Sequence, residues 1–328
     1  TSTGDGEFSA VVGTYSISDD IVIAHNVTYD DHINITGTLT VNASKTFGEG
    51  AAGKNMTVSG AVQVNGTLDL DRSSSDGNAS FGSLTIGNGG TVQAPSHGNL
   101  TLTTDATDQF LYETISGATF SNNDGNVIIT GDGKLKPRAG TGNFHNLTIN
   151  ASGNTIDQSI ALTCEGNLTI TAGTLDTARA SDSADQNLTV EGATDVAGTL
   201  TLNGSTCSFG DGGYTGHYGL RATGASGVIT ADADSTVAMS SLYAADAAGI
   251  NIALSGTNTI NKYRASNDMM IRLTNNTVDS DMTLTVTTTE ADKLMQVADA
   301  NVTLILNASS GTPARKIADS AMSLKALT

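Results

Sequence analysis

The sequence has no tryptophan, three prolines, two cysteines and only 15 lysines and arginines in 328 residues. Aromatic residues make up 4% and charged residues 15%. A helical bundle needs Leu, Ala, Glu and Lys at helical spacing, and that pattern is missing. The scarcity of proline, beside 38% hydrophobic residues, argues against a disordered linker. No apolar run approaches about 18 residues, so no helical membrane span is expected. The chain opens Thr1-Ser2-Thr3 without a signal-like apolar segment, as after removal of a leader or in a fragment. The 33 acidic groups against 15 basic ones give a net charge of −18. That charge repels nucleic-acid phosphates and an acidic membrane surface alike. It favours solubility in salty surroundings and names no partner. Cys164 and Cys207 read as two small buried residues, with a disulfide as the alternative, and do not settle the redox compartment.

What the chain does have is 48 Thr, 31 Ser and 37 Gly, with Val and Ile throughout. β-Branched residues between Gly and Asn turns indicate an all-β protein. The pattern repeats. An apolar-Thr-apolar phrase starts at Met56, Leu84, Leu100, Leu147, Leu168 and Leu188. A second phrase, Gly followed by alternating Leu or Val, starts at Gly37, Gly66, Gly90, Gly173 and Gly198. Each unit reads as strand, turn, strand, turn, and alternation gives each strand one buried face. A unit of about 20 residues cannot hide its own apolar face, whereas stacked units can, each on its neighbour.

The expectation is therefore a β-solenoid, or parallel β-helix, of roughly 20-residue coils with irregular terminal caps. Residues 1–50 would form an N-terminal cap and the first coils, with the strand in Asp19–His25 covering the open end. Residues 51–219 would hold the regular repeats. Residues 220–328 would be degenerate coils or a small β cap domain, with a short helix or loop at Ala291–Ala300 and a short helix from Pro313.

The stretch from Asn167 to Thr206, NLTI…GTLDT…NLTV…GTLTLNGST, resembles β-helical repeats of phage tail fibres and spikes and of bacterial or archaeal surface adhesins. The resemblance implies an extracellular or virion-borne structural rod, with no catalytic residue to carry over. It implies a homo-oligomer or filament, contacts with other virion or surface structural proteins, and in some cases binding to cell-surface glycans. The alternative is a carbohydrate-binding or carbohydrate-cleaving β-helix module.

Candidate chemistry is sparse. Fifteen Asn-x-Ser/Thr sequons occur, at Asn26, Asn34, Asn42, Asn55, Asn65, Asn78, Asn99, Asn146, Asn150, Asn167, Asn187, Asn203, Asn275, Asn301 and Asn307. Chance predicts about six from this composition. Glycosylation explains the excess, and so does a repeat that places Asn at a corner and Thr on the strand after it. Acidic pairs at Asp19-Asp20, Asp30-Asp31, Asp105 with Asp108, and Asp232 with Asp234 raise calcium as a cofactor, but no EF-hand loop or GGxGxD repeat is present. Solvated turns are the plainer reading. Sugar hydrolysis needs two carboxyls in a groove with aromatic platforms. Tyr214, Tyr218, Tyr243 and Tyr263 are the only local Tyr-rich set. His25, His32, His97, His145 and His217 show no metal-ligand spacing. No catalytic, cofactor or metal residue is assigned, and the expected function is non-enzymatic.

Overall fold

The structure is a computed structural model that describes residues 5–8, 13–72, 75–138, 140–178, 185–210, 219–223, 227–232 and 234–239, with 106–108 by backbone alone. Beyond these it describes the strand backbones of 242–244, 251–254, 257–260, 272–273, 282–288, 294–297, 302–308 and 316–317. Its described residues hold strands and turns and no helix. The chain divides into two units, Thr1–Leu162 and Thr163–Thr328.

In the first unit each turn of chain contributes three short strands, and each strand pairs in parallel with its counterpart one turn later. The first leg is a six-stranded ladder of Gly6–Phe8, Val27–Tyr29, Thr46–Glu49, Thr67–Asp69, Thr91–Gln93 and Thr119–Ser121. The second leg begins Thr14–Ile17 and His32–Ile35 and continues through Asn99–Leu102, Asn126–Ile129 and the start of Asn146–Gln158. The third leg begins Ile21–Ile23 and Leu39–Val41 and reaches Asp132–Lys136. Met56–Val64 and Ala79–Ile86 run through a corner and serve both legs, with a register shift between Phe81 and Ser83.

The second unit repeats the scheme. Its first leg is a seven-stranded ladder from Leu162–Cys164 to Val302–Ala308. Its second leg runs from the start of Leu168–Asp176 to Lys316–Ile317. Its third leg takes in Thr199–Leu202, Val228–Ala231 and Asn251–Leu254.

Period-two alternation builds the interior. On the second leg Ile33, Met56, Ala79, Leu100, Val127 and Leu147 form one buried column, each in register with the next. On the first leg the column is Val27, Phe47, Leu68, Val92 and Phe120. Each buried aliphatic side chain contributes roughly 1.5–3 kcal/mol, and it does so only because the neighbouring turn covers it. The outward partners on the first leg, Thr46, Thr67, Thr91 and Thr119, are also in register.

The all-β solenoid is therefore present, with two differences. A turn takes roughly 23 residues, not 20. A turn also holds three strands rather than two. Ile21–Ile23, within the expected entry strand, is a rung of the third leg paired with Leu39–Val41. In the segment where a helix or loop was expected, Leu294–Val297 is a strand paired with Arg272–Leu273 and Lys316–Ile317, and the last of these replaces the expected C-terminal helix with a strand.

Candidate functional site

A recurrent polar device among the described residues sits where a strand begins. The residue just before the strand, or its first residue, carries a side-chain acceptor for the backbone N–H of its register mate one turn on. Asp5 Oδ1 accepts from Asn26 N at 2.9 Å, and Asn26 Oδ1 accepts from Thr46 N at 3.0 Å. On the second leg His32 Nδ1 accepts from Asn55 N, Asn55 Oδ1 from Asn78 N, and Asn78 Oδ1 from Asn99 N, each at 2.9 Å. Asn126 Nδ2 then donates to Asn99 Oδ1 at 3.2 Å. In the second unit Asn167 Oδ1 accepts from Ala193 N at 2.9 Å and Asn187 Oδ1 from Thr206 N at 3.2 Å. A parallel ladder leaves such N–H groups unpaired at its ends, and a short amide side chain is suited to fill them.

The densest group of titratable side chains lies at a corner of the first unit. Alternation in Thr46–Glu49 turns Phe47 and Glu49 inward, so Glu49 stands in register with buried Tyr29 and is only 5% exposed. Its Oε1 accepts from Lys54 N at 2.6 Å and its Oε2 from Gly77 N at 3.4 Å. Burial raises the Glu49 carboxyl, and the two N–H donors work against that rise. Burial also drives the Tyr29 phenol far up, helped by the charges of Glu49, Asp69 and Asp76. Gly77 is required here because a Cβ would run into the Lys54 carbonyl.

Above Glu49, Asp76 accepts from Arg72 N at 2.6 Å and from His97 N at 2.8 Å. Burial alone would raise the Asp76 carboxyl, but these bonds and those from Ser96 hold it below the usual aspartate range. Ser96 Oγ lies 2.8 Å from Asp71 Oδ1, 3.0 Å from Asp76 Oδ2 and 2.8 Å from His97 Nδ1. Serine, histidine and aspartate meet here, yet the arrangement is no catalytic relay. A relay needs the hydroxyl and the carboxylate on opposite imidazole nitrogens. Here both approach Nδ1, with Asp76 at 3.7 Å. The group clips Asp71, Arg72 and Asp76 to the turns on either side. Sequence reasoning missed Glu49, although strict alternation through Thr-Phe-Gly-Glu already places it inside.

A third cluster lies on the third leg, where the register of Asp105–Thr114 shifts on either side of Phe110. Lys136 Nζ pairs with Glu113 Oε1 at 2.7 Å and stands 4.8 Å from the centre of the Phe110 ring. In the second unit Arg221 makes a two-pronged pair with Asp195 across one rung, at 2.6 and 2.8 Å.

The described acidic residues expected from sequence make these contacts. Asp20 Oδ1 accepts from the Thr38 N–H at 2.7 Å and its hydroxyl at 3.0 Å, which lowers its carboxyl. Asp31 pairs with Lys54 at 3.7 Å. Asp105 accepts from Asp132 N and Asn154 Nδ2, each at 3.2 Å. Asp232 Oδ1 accepts from Gly204 N at 2.8 Å and from the Ser235 hydroxyl at 2.7 Å. Asp20, Asp105 and Asp232 are exposed, as in solvated turns, and each also accepts an N–H from a neighbouring turn. Among the described residues no group of three or more His, Cys, Asp or Glu is placed to hold a metal.

Cys164 and Cys207 are free and buried, so the alternative of a disulfide is corrected. They lie on strands separated by Leu188–Val190 in one ladder, two strand spacings or about 9.6 Å apart, beyond the reach of an S–S bond. Burial pushes both thiols up to about 12. His145 Nδ1 lies 3.3 Å from Asp124, and His25 is half-buried. Tyr214, Tyr218, Tyr263, His217, Asn275 and Asn301 lie outside the described residues, as do the side chains of Asp108, Tyr243 and Asn307.

These features define a class, the β-solenoid, whose described polar side chains bind one turn to the next. No protein family, no curated protein and no solved structure matches the chain.

Proposed function

We propose that this protein is a structural, non-enzymatic subunit of an extracellular or virion-borne fibre, spike or surface filament, and that it assembles through β-strand contacts. One observation carries the reading: among the described residues, carboxylates and amides recurrently hold one turn to the next. Glu49, Asp76, Asn55 and Asn78 each accept a backbone N–H from another part of the stack. Parallel ladders with apolar inner columns and Thr-rich outer ones suit a load-bearing scaffold.

Strand contacts are supported at the first described turn. Gly6–Phe8, Thr14–Ile17 and Ile21–Ile23 each pair on one side only among the described residues, and Tyr15 and Val22 are 37% and 36% exposed there. A strand paired on one side can take a further strand on the other, from this chain or another. A fibre or spike closes around a symmetry axis, whereas a filament propagates head to tail. Cryo-electron microscopy of the purified protein separates them: closed particles support the first and indefinite fibres the second. A monomer at every concentration overturns both.

A further inference from the structure

We propose that Asn150 is a glycan acceptor, taking a sugar on its side-chain amide when the chain passes through a compartment that transfers oligosaccharides. The inference rests on the extracellular part of the function proposed above.

The fold accounts for most of the described sequons. Asn26, Asn55, Asn78, Asn99, Asn146, Asn167 and Asn187 each stand just before a strand or at its first residue. The next residue faces inward and the Ser or Thr after it faces out, so the pleat writes Asn-x-Ser/Thr without any sugar. Asn65 and Asn203 belong to Asn-Gly corners, where Asn65 Oδ1 accepts from Gln63 Nε2 at 3.0 Å and Asn203 Nδ2 donates to Asp176 at 3.0 Å. Asn34 and Asn42 are half-buried.

Asn150 fits none of these roles. It follows Ile149, which is in register with Ile129 and, through it, with Leu102. Its counterparts one and two turns earlier are Thr130 and Thr103. Both use their hydroxyls to clip back to the preceding turn, Thr130 to Leu102 O at 3.3 Å and Thr103 to Phe81 O at 3.2 Å. The Asn150 side chain makes no hydrogen bond among the described residues and is exposed. Ser152, which completes the sequon, and Gly153 are exposed beside it. Gly153 has φ +81°, and nothing lies within 4 Å of where a Cβ would stand, so the surroundings are open. An exposed, unbonded sequon asparagine at a corner where neighbouring turns use a clip is what an acceptor site requires.

In the transfer, Asn150 Nδ2 forms a bond to C1 of the sugar and loses one proton. The C1–O bond to a polyprenyl-diphosphate carrier breaks, and the diphosphate leaves with the electron pair. Asn99 Nδ2 donates to Asn78 Oδ1 at 3.4 Å and Asn203 Nδ2 to Asp176 Oδ1 at 3.0 Å, so a sugar on either nitrogen leaves it one N–H and crowds a bond between turns.

The test is secretion of the full chain from a eukaryotic host, followed by glycopeptide mapping of the folded, protease-resistant fraction. Asn150 is expected to be occupied in most molecules, with Asn99 and Asn203 bare. Asn150→Gln and Ser152→Ala should each remove the mass of one glycan while the urea midpoint stays in place. A folded, secreted chain with Asn150 bare, or with Asn99 and Asn203 occupied as often, overturns the proposal. Fibres built from a chain bare at Asn150 sink this inference alone, whereas an occupied Asn150 on a permanent monomer sinks the assembly reading alone.

Discussion

Phe144→Ala tests whether the interior of the first unit is packed turn against turn. Phe144 is fully buried, with its ring centre 4.7 Å from Tyr112 and 6.1 Å from Phe120, while Tyr112 and Phe120 are 5.4 Å apart. The Tyr112 hydroxyl donates to Gly142 O at 3.2 Å, which ties the triad to the chain carrying Phe144. Deleting a buried phenyl group in a rigid setting costs about 3–5 kcal/mol, and the two lost ring contacts place this site near 4. Phe144→Leu keeps most of the volume and should cost about 1 kcal/mol. Urea unfolding followed by far-ultraviolet circular dichroism measures both variants against the parent. A loss below about 1 kcal/mol for the alanine variant, with an unchanged denaturant slope, would mean that the corner is not closed and the stacking account is wrong.

Asn78→Ala should cost about 1 kcal/mol by orphaning Asn99 N–H, while Asn78→Asp keeps the acceptor and should stay within about 0.5; equal losses in urea melts would show that the amide ladder holds nothing. Cys164 and Cys207 should resist a thiol-reactive disulfide reagent at pH 8 and react as two equivalents in denaturant; fast labelling of the native chain would contradict their burial. Burial raises the Glu49 carboxyl above the usual glutamate range, so the folded form binds the proton more tightly than the unfolded form. Relative to Glu49→Gln, the parent should lose stability as the pH rises from about 4 to 7, and a flat difference across that range would refute the sign. Gly77→Ala should destabilise by more than about 2 kcal/mol, since the added methyl meets backbone rather than a movable side chain, and a neutral result would show that the corner can shift.

The strands were legible because a half-buried strand writes its two faces into the sequence. All six apolar-Thr-apolar phrases fall on strands, from Met56–Val64 to Leu188–Val190. The number of legs was not legible, because every leg uses the same alternation. Leu100 begins a second-leg phrase, Leu84 a third-leg phrase and Leu188 a first-leg phrase, and the three read alike. Turn length was underestimated because corners lengthen without disturbing the columns they connect. The strand at Leu294–Val297 was obscured by the ambiguity of short apolar runs. The Asn excess was visible, but which residue each amide would meet depended on register. Register is a property of the stack, invisible in a single turn.

The ladders carry a consequence for how such a chain changes length. Duplicating one whole circuit, roughly 23 residues, copies every inner column together with its amide clip, and the new layer finds matching partners on both of its sides. An insertion of a single residue inside a leg instead throws its greasy side chains outward. Growth is therefore quantised: mutation can lengthen or shorten the molecule by complete circuits, or decorate its bends, while the straight stretches stay frozen at fixed size.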